Sequence, residues 1–395
     1  MEFDVCVIGG CGHVGLPLGI CLAGEGRSVA ALDIDSALIA MVNSGTMPFK
    51  EEGATELLQR VISAGKFRAT GDPALVSRSE VVIFVIGTPV TSHLYPDYSD
   101  FFNSIQRYLP HFRDGQLIIL RSTVYPGVSE KVVRLIEEHG LKLDVAFCPE
   151  RISQGDAVKE LYELPQIISG FSPGAVARAR EFFSVLSDDI VELSPLEAEF
   201  AKLFTNTWRY IRFAVANQFY MIANSAELDF YKIYDAITHN YPRVKDMPKA
   251  GFAAGPCLYK DTLQLAAMTG NTFFLGHSAM LVNEGMPDYI VSRLKQRFAL
   301  PEMRVGILGM AFKKDSDDSR ESLACKLRNI LVKDCRQVLA TDPFVKEEGL
   351  LPLEEVIEQS DILIIGAPHS RYAELDFAGK EVIDIWDLYG RGGVI

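Results

Sequence analysis

The chain has 395 residues, of which 48% are hydrophobic and 23% charged, and its formal net charge is −13. This length predicts two or three domains, and the acidic balance argues against a general nucleic-acid-binding protein. No apolar run approaches the length of a membrane span, and the start of the chain lacks the basic residues of a signal peptide. We therefore expect a cytoplasmic protein whose partners include neither a nucleic acid nor a membrane.

The cysteines are typical of a protein from a reducing compartment. Seven of them are scattered along the chain without a Cys-x-x-Cys pair. Such a pattern predicts neither a disulfide framework nor a structural zinc site. We accordingly predict no metal site.

The start of the chain has the pattern of a dinucleotide-binding unit. The apolar run Phe3–Ile8 predicts a strand, Gly10-Cys11-Gly12-His13-Val14-Gly15 follows, and an apolar stretch to about Gly24 predicts a helix. A second predicted strand, 28–32, ends at Asp33. Together these parts form the fingerprint of an NAD site, although a glycine-rich turn without a ligand is the alternative.

Each part of this fingerprint has a physical task. The glycines let the backbone turn tightly and approach a pyrophosphate at the helix N-terminus. Asp33 would accept hydrogen bonds from the adenosine ribose and repel a 2′-phosphate, so the predicted cofactor is NAD rather than NADP. The predicted cofactor contacts here are Gly10, Gly12, His13, Val14, Gly15 and Asp33.

Three further predicted strands end in polar loops. They cover 81–86, 117–120 and 145–147, and their loops contain Gly87-Thr88-Pro89, Ser122-Thr123 and Glu150-Arg151. Ligands bind at the carboxyl ends of strands in open parallel sheets. The repetition predicts a doubly wound α/β domain that reaches about residue 193.

A long helix is predicted next. The segment Ser194-Pro195-Leu196-Glu197 marks its start, because its serine can cap, its proline suits the first turn and its glutamate completes a capping box. Neither proline nor glycine then appears until Pro242, so a helix of roughly thirty residues is plausible. Such a helix can bridge two domains and offer a dimer surface. Lys202 and Asn206 lie one turn apart on one face of it.

Cys257 is the main candidate for covalent chemistry. It follows a Gly-Pro break and precedes an apolar, helix-like run at 263–268, which places its sulfur in a first helical turn. The positive end of a helix dipole favours a thiolate, and Lys260 and Asp261 return toward the same face. A thiolate beside a cation and a carboxylate is suited to attack on a carbonyl carbon. The alternative is a buried structural cysteine.

A second, smaller α/β domain is predicted from about Arg304. Its predicted strands are 304–309, 337–340, 362–365 and 382–385. The loop after the first of them carries Lys313 and Arg320, which could contact phosphates, although a solvated loop is the alternative. The predicted fold is therefore α/β, with two Rossmann-like doubly wound domains joined by a long central helix and a helical middle domain.

Eight segments, in this order, resemble the UDP-glucose/GDP-mannose dehydrogenase family over nearly the whole chain. They are Gly10-Cys11-Gly12-His13-Val14-Gly15-Leu16-Pro17-Leu18, Gly87-Thr88-Pro89, Ser122-Thr123-Val124-Tyr125-Pro126-Gly127, Pro149-Glu150-Arg151, Ala201-Lys202-Leu203-Phe204-Thr205-Asn206, Gly255-Pro256-Cys257-Leu258-Tyr259-Lys260-Asp261-Thr262, Gly309-Met310-Ala311-Phe312-Lys313 and Asp318-Ser319-Arg320-Glu321-Ser322. The resemblance implies an NAD-binding domain at 1–193, a catalytic and dimerisation domain at 194–300 and a nucleotide-sugar-binding domain at 301–395. It also implies a homodimer that oxidises the C6 alcohol of a nucleotide sugar twice, to a carboxylate, with two NAD+.

The resemblance further implies roles for individual residues. Cys257 is the nucleophile, Lys202 stabilises oxyanions and Asp261 helps to activate water. The other implied residues of the reaction site are Asn206, Glu150 and Thr123. Implied cofactor contacts are Thr88, Thr123, Lys260 and Arg320. Implied substrate contacts are Glu150, Arg151, Lys202, Asn206, Gly255 and Lys313.

The chemistry expected of such a site is covalent. An aldehyde beside a thiolate gives a thiohemiacetal, which loses a second hydride to give a thioester that water hydrolyses. The chain departs from the family pattern at Gln154 and Gln218, where the family commonly has Glu, and at Ala254, where it has Gly.

The sugar stays open on sequence alone. Pro149-Glu150-Arg151 is more similar to family members that use N-acetylated UDP-hexosamines, and Cys257-Leu258-Tyr259-Lys260-Asp261 is more similar to the UDP-glucose branch. Two other functions also stay open. One is a two-electron 6-phosphogluconate or β-hydroxyacid type of dehydrogenase, in which Lys202 is a base and Cys257 is not needed. The other is a catalytically silent NAD- or nucleotide-binding regulator, which the Gln154 substitution keeps possible.

Overall fold

In the computed structural model the chain divides into two units, Met1–Thr205 and Asn206–Ile395. The structure describes residues 3–88, 97–377 and 379–395. Pro89, which the sequence places in a predicted cofactor loop, lies outside the described residues. The fold class is the predicted one, α/β with parallel sheets.

The described residues of the first unit contain eight strands. They are β1 (Phe3–Ile8), β2 (Val29–Leu32), β3 (Phe67–Thr70), β4 (Ser79–Phe84), β5 (Leu117–Leu120), β6 (Asp144–Phe147), β7 (Gln166–Ile168) and β8 (Ile190–Glu192). The first six form one parallel sheet in the order β3-β2-β1-β4-β5-β6, and β7 and β8 form a separate parallel pair. This order is that of dinucleotide-binding domains, with the strand order reversing between β1 and β4.

Helices cover both faces of this sheet. Those of the first unit are α1 (Gly15–Gly24), α2 (Ser36–Asn43), α3 (Ala54–Ser63), α4 (Ser99–Tyr108), α5 (Val128–Glu138), α6 (Ala157–Glu163) and α7 (Pro173–Phe183). Successive residues of a strand point to opposite faces. Val5 and Val7 accordingly enter one hydrophobic core, and Cys6 and Ile8 enter the other. Burial on both faces explains why β1 is an apolar run without alternation.

The predicted strand at 81–86 is displaced in the structure. β4 begins at Ser79 and ends at Phe84. Beyond this point the backbone N–H of Ile86 donates to the hydroxyl of Ser122 over 2.7 Å. At Ile86 a hydrogen bond to a side chain therefore replaces the hydrogen bond between strands. The apolar pattern of the sequence does not predict this replacement.

The long helix α8 (Pro195–Ser225) has 31 residues, as its capping signal and length pattern predict. At its start the carboxylate of Glu197 accepts from the Ser194 hydroxyl over 2.6 Å and from the Ser194 N–H over 2.9 Å. The N–H of Glu197 donates back to the Ser194 hydroxyl over 3.4 Å. These contacts are those of the predicted capping box.

The second unit combines helices with a smaller parallel sheet. Its helices beyond α8 are α9 (Phe230–Thr238), α10 (Leu258–Met268), α11 (Phe274–Arg297), α12 (Leu323–Leu331) and α13 (Leu353–Gln359). Its strands are β9 (Arg304–Leu308), β10 (Gln337–Thr341), β11 (Ile362–Ile365) and β12 (Glu381–Ile383), in the order β10-β9-β11-β12. One core joins α11, through Ile290 and Leu294, to β9, through Ile307.

Several features concern the described residues as a whole. All seven cysteines lie among them, and all are free thiols. Within the described ranges no helix is long and apolar enough to cross a membrane. The same residues contain no cluster of His, Cys, Asp and Glu side chains that could hold a metal ion.

Candidate active site

The glycine-rich loop joins β1 to α1 at the point where the sheet order reverses. Within the loop the N–H of Cys11 donates to Asp33 Oδ2 over 3.0 Å, which fixes the loop to the end of β2. The other oxygen of Asp33 accepts from the N–H groups of Ile34 and Asp35. No side chain of the described residues caps α1 at Val14. The open N–H groups of a first helical turn suit a pyrophosphate.

The three glycines of the motif have different surroundings. A Cβ on Gly10 would lie 2.7 Å from the Cα of Ala31, and one on Gly15 would lie 2.3 Å from the carbonyl oxygen of Gly9. On Gly12 it would find its nearest neighbour at 3.6 Å. Gly10 and Gly15 are therefore required for packing, whereas Gly12 leaves space for close approach by a ligand. Beside them the half-exposed His13 ring packs on Phe49, with ring centroids 4.1 Å apart.

Asp342 occupies the position in the second sheet that corresponds to Asp33, but its carboxylate is held by a second side chain. Asp342 follows β10, and its Oδ2 accepts from the N–H groups of Met310 and Ala311, as Asp33 does from Cys11. The Nε2 of His369 lies 3.1 Å from the same oxygen, and both side chains are fully buried. Since His369 Nδ1 accepts from the backbone N–H of Asp315, Nε2 carries the proton and donates it to Asp342. Asp33 is half-buried, and no side chain of the described residues pairs with its carboxylate in the way that His369 pairs with Asp342.

Thr123 and Lys202 belong to the first unit. The buried Thr88 hydroxyl donates to the Thr123 carbonyl over 2.6 Å, which holds the Thr123 backbone in place. The Thr123 side chain is half-buried, and its hydroxyl makes no hydrogen bond within the described residues. Lys202, on α8, is 8% exposed and has no ion pair or hydrogen bond with any described residue. Both side chains are therefore available to a ligand.

Glu150 is engaged by the protein itself. Its Oε2 accepts from Arg121 Nε over 2.8 Å, and its Oε1 accepts from the N–H groups of Arg151 and Ile152. Arg121 is buried and also donates to the carbonyl of Cys148. The Arg151 guanidinium donates to the Pro165 carbonyl. Glu150 is thus held in a fixed orientation at the end of β6, with part of its surface still open.

Cys257 is the N-cap residue of α10, in agreement with the predicted first-turn position. Its carbonyl accepts from the N–H of Asp261 over 2.9 Å, and its side chain is exposed, unlike that of any other cysteine in the chain. Burial raises the pKa of Cys6, Cys11 and Cys148 to about 12. Those thiols are protonated at neutral pH, so they are not nucleophiles.

Asn206, Lys260 and Asp261 meet in the second unit. The amide of Asn206 donates to Asp261 Oδ2 over 2.6 Å, and both side chains are buried. The other oxygen, Oδ1, lies 3.7 Å from Lys260 Nζ. The hydrogen bond from the Asn206 amide and the nearby Lys260 cation together offset the free-energy cost of burying the Asp261 carboxylate.

The loop before Cys257 packs on the charged loop after β9. Gly255 adopts a φ of +102°, and a Cβ there would lie 2.6 Å from Cδ2 of Phe312, so only glycine fits. Its N–H donates to the carbonyl of Glu321 over 3.3 Å. The predicted substrate contact Lys313 follows Phe312 directly and is half-buried. These contacts bring the 309–322 loop to the candidate nucleophile.

Arg320 lies in this loop and interacts electrostatically with Cys257. Its Nη2 lies 2.6 Å from Asp318 Oδ2, and its Nε bonds to the same carboxylate. The pKa of Arg320 is raised, mainly by the hydrogen bond with Asp318, against the effect of burial, and further by electrostatic interaction with Asp318 and Cys257. The exposed guanidinium is thus held by Asp318 in the loop that packs against the Cys257 segment.

Comparison with known proteins decides the family. Models of three domains of the UDP-glucose/GDP-mannose dehydrogenase family match the chain: the NAD binding domain at 3–187, the central domain at 196–284 and the UDP binding domain at 306–391. The chain belongs to the UDP-glucose/GDP-mannose dehydrogenase family. It is an NAD-dependent dehydrogenase of the nucleotide-sugar type, and NAD is its cofactor. The predicted family, fold class and cofactor are confirmed.

Relatives match over nearly their full length. The UDP-N-acetyl-D-mannosamine dehydrogenase of Pyrococcus horikoshii is 31% identical over 93% of this chain and 90% of its own. A solved structure of UDP-D-ManNAc dehydrogenase from that organism superposes with a TM-score of 0.91 at 30% identity and covers 99% of this chain and 97% of its own. A solved UDP-glucose dehydrogenase from Pyrobaculum islandicum reaches 0.91 at 25% identity, with coverage of 98% and 95%.

This dehydrogenase also contains site-supporting residues that sequence reasoning missed. The N–H of Gly251, at the start of the Cys257 loop, donates to Asn217 Oδ1 over 2.9 Å, and the Asn217 amide donates to Asn283 over 2.9 Å. Both asparagines are fully buried. The sequence signal that could have identified Asn217 is a polar residue among apolar positions of a long helix, because a buried polar side chain needs a hydrogen-bond partner. Gln218, which departs from the family pattern, is exposed.

Arg121 was missed for a different reason. It follows the apolar strand β5 directly, and a charged residue at a strand end has many uses. Its partner Glu150 lies 29 residues farther along the chain. Only the adjacency of β5 and β6 in the sheet brings the two together.

Proposed function

We propose that this dehydrogenase oxidises the C6 alcohol of a UDP-sugar to a carboxylate through a covalent intermediate on Cys257. The leading candidate substrate is a UDP-N-acetylhexosamine, which the 31% identical relative and the Pro149-Glu150-Arg151 segment favour. The observation that carries the proposal is the exposed thiol of Cys257 at the N-terminus of α10. Two molecules of NAD+, bound one after the other, would each accept one hydride.

Cys257 accounts for the second oxidation. Its thiolate attacks the aldehyde carbon and forms a C–S bond, and the carbonyl oxygen becomes an oxyanion. Departure of a hydride from the same carbon gives a thioester. Water then attacks the thioester carbon, the C–S bond breaks, and the acid leaves while the thiolate is restored. The covalent bond keeps the aldehyde on the enzyme between the two oxidations.

Asp261 is the proposed acceptor of the proton from that water. Asn206 donates to Oδ2 and so fixes the carboxylate plane, which leaves Oδ1 as the side that faces Lys260. A buried carboxylate with one oxygen held in this way is oriented for proton transfer.

Lys202 and Thr123 are the proposed oxyanion donors. Both are available to a ligand in the first unit, and the family resemblance gives both a place in the reaction site. Removal of one such donor typically costs about 3 kcal/mol of transition-state stabilisation. Glu150, with its oxygens held by Arg121 and by backbone N–H groups, is proposed as a substrate contact rather than as a free base.

The covalent step is tested with Cys257→Ala and a matched control, Cys325→Ala, which removes a half-buried thiol. Wild-type enzyme and the control should release two NADH per sugar. Cys257→Ala should bind NAD with unchanged affinity and make no acid, and mass spectrometry of stalled wild-type enzyme should find the sugar bound to Cys257. Acid production at the wild-type rate by Cys257→Ala contradicts the mechanism. One NADH per sugar supports the two-electron alternative, and no turnover at all supports the regulator.

The sugar is tested with a panel of UDP-N-acetyl-D-mannosamine, UDP-N-acetyl-D-glucosamine, UDP-glucose and GDP-mannose. We expect the highest kcat/KM with an N-acetylated UDP-sugar. UDP-glucose is a second candidate, because Cys257-Leu258-Tyr259-Lys260-Asp261 favours it and the Pyrobaculum enzyme has an equal TM-score of 0.91. A clear preference for UDP-glucose would reverse the assignment.

A homodimer through α8 is also proposed. The helix carries an apolar stripe (Phe204, Trp208, Val215, Phe219 and Ile222) whose side chains are 43–60% exposed. The spacing of three, four and seven residues places them on one helix face, and an exposed apolar face of this kind marks an interaction surface. Light scattering should find a dimer for the wild type and for Arg209→Glu, an exposed position outside the stripe, and a monomer for Trp208→Glu. A monomeric wild type at micromolar concentration contradicts the proposal.

A further inference from the structure

A buried carboxylate links α8 to the Thr123 loop. Glu199 lies three residues before Lys202 and is 1% exposed. Its Oε2 accepts from the N–H of Gly127 over 2.6 Å. Its Oε1 accepts from the N–H of Ser129 over 2.9 Å and from the Ser129 hydroxyl over 2.6 Å.

These contacts cap α5 from another helix. The N-cap residue of α5 is Gly127, which has a φ of +89° and no side chain that could satisfy the first N–H groups of the helix. Glu199 satisfies two of these N–H groups with a negative charge at the positive end of the helix dipole. A cap of this kind is usually supplied by a local Ser, Thr or Asp, so its origin on α8 ties two distant segments together.

The Ser122–Gly127 loop is consequently held on both sides of Thr123. The Thr88 hydroxyl holds the Thr123 carbonyl on one side, and Glu199 holds Gly127 on the other. Residues three apart on a helix lie on the same face, so the turn of α8 that contacts Gly127 also presents Lys202. The carboxylate thereby sets the Thr123 loop relative to the Lys202 side chain.

We infer that Glu199 is a positioning residue that fixes the Thr123 loop against the turn of α8 that carries Lys202. The inference rests on the proposed function, in which Thr123 and Lys202 serve the same reacting oxygen. Small displacements of such groups lower the rate strongly, because the effective concentration of a reacting group depends on its geometry. Glu199 acts through Thr123 and Lys202 and is not itself assigned a contact with substrate or cofactor.

The test compares Glu199→Gln and Glu199→Ala with Glu197→Gln. Glu197 lies two residues away on the same helix and is exposed, and within the described residues its carboxylate accepts hydrogen bonds from Ser194 alone. Glutamine at position 199 keeps one acceptor oxygen but places an amide N–H₂ group against an N–H donor. We expect kcat to fall about tenfold for Glu199→Gln and about 100-fold for Glu199→Ala. The KM for the nucleotide sugar and the affinity for ADP-ribose, which binds without the nicotinamide, should stay unchanged.

Amide hydrogen exchange supplies a readout that does not depend on activity. In Glu199→Gln without ligand, exchange at Gly127 and Ser129 should be at least about tenfold faster, while the amides of β5 keep their protection. Glu197→Gln should match the wild type in every measurement. Unchanged exchange at Gly127, unchanged kcat in Glu199→Ala, or a parallel loss of ADP-ribose affinity would each overturn the inference. If the wild type oxidises no nucleotide sugar, the proposed function fails, and the positional role of Glu199 fails with it even where exchange shows the contact.

Discussion

Substitution of Gly12 by alanine separates cofactor binding from folding. Among the glycines of the NAD fingerprint, Gly12 offers space for a Cβ, whose nearest neighbour would lie at 3.6 Å. At Gly10 a Cβ would lie 2.7 Å from both the Cα and the Cβ of Ala31. The same chemical change is therefore harmless to the protein at one position and a steric clash at the other.

The expected magnitudes follow from these distances. Gly10→Ala must push β2 away from the loop, and overpacking of this kind costs about 1–3 kcal/mol of unfolding free energy. Gly12→Ala should change unfolding free energy by less than about 0.5 kcal/mol, as is usual for substitutions without a steric conflict. A methyl group at Gly12 keeps the pyrophosphate from the backbone, and the loss of one hydrogen bond to a charged group costs about 1.5–3 kcal/mol. This corresponds to about a 10- to 150-fold weaker affinity for NAD.

The assay combines urea unfolding of the ligand-free protein with NAD titration by calorimetry. Gly12→Ala should unfold like the wild type and bind NAD weakly, and Gly10→Ala should unfold at lower urea concentration. Wild-type NAD affinity in Gly12→Ala would refute the assignment of that space to the pyrophosphate. A stability loss in Gly12→Ala as large as that in Gly10→Ala would refute the steric reasoning.

Three other substitutions have defined outcomes. Arg121→Met leaves the buried Glu150 carboxylate without its cation. Urea titration should therefore find an unfolding free energy lower by about 3–5 kcal/mol. Exposed ion pairs contribute up to about 1 kcal/mol, so a loss below ~1 kcal/mol would contradict the assignment of a buried pair. Asn206→Ala frees Asp261 Oδ2 and should slow acid release about tenfold in single-turnover experiments without a change in NAD affinity. Asp342→Asn tests a carboxyl group with a shifted pKa. Burial raises the pKa of Asp342, but hydrogen bonds from His369 and from backbone N–H groups outweigh this effect and lower the pKa to about 2. Since that pKa lies below the value of about 3.9 in an unfolded chain, the carboxylate stabilises the fold by about 2–3 kcal/mol above pH ~4 and loses this effect as the pH falls toward about 2. The difference in unfolding free energy between wild type and Asp342→Asn should therefore shrink steadily over that acid range, and a difference independent of pH would contradict the assignment.

Local signals in the sequence were sufficient for much of the fold. The run Phe3–Ile8 is β1, and the capping pattern at Ser194 starts α8. Each signal depends on neighbouring residues in the chain: apolar runs for buried strands and a serine–glutamate pair for a helix start. The break before Cys257 also located the start of α10. Such features can be predicted from sequence because their energetics are local.

Contacts that hold the site together were beyond this kind of reasoning. Glu199 meets Gly127 across 72 residues, and Asn217 meets Gly251 across 34. Neither residue type nor spacing predicts these pairs, because each depends on the final packing of helices and loops. The displaced end of β4 has a similar origin, since the Ser122 hydroxyl that takes the Ile86 N–H lies 36 residues away.

The two parallel sheets show how one topology acquires two ligand chemistries. In both, a glycine with positive φ ends the first strand, Gly9 at +78° and Gly309 at +93°. In both, the loop after that glycine donates to an acid at the end of the neighbouring strand.

The two sheets differ in the segment that connects this loop to the next helix. In the first unit α1 begins at Gly15, directly after the glycine loop, so its N-terminal N–H groups can receive a pyrophosphate beside the half-buried Asp33. In the second unit a charged loop separates the corresponding strand from α12, which begins at Leu323 and is capped by Ser322. His369 also closes the corresponding acid, Asp342. The N-terminus of α12 is therefore already capped by a side chain of its own unit, unlike that of α1. This accounts for a dinucleotide site in the first sheet and a different nucleotide site, which the UDP binding domain match locates, in the second.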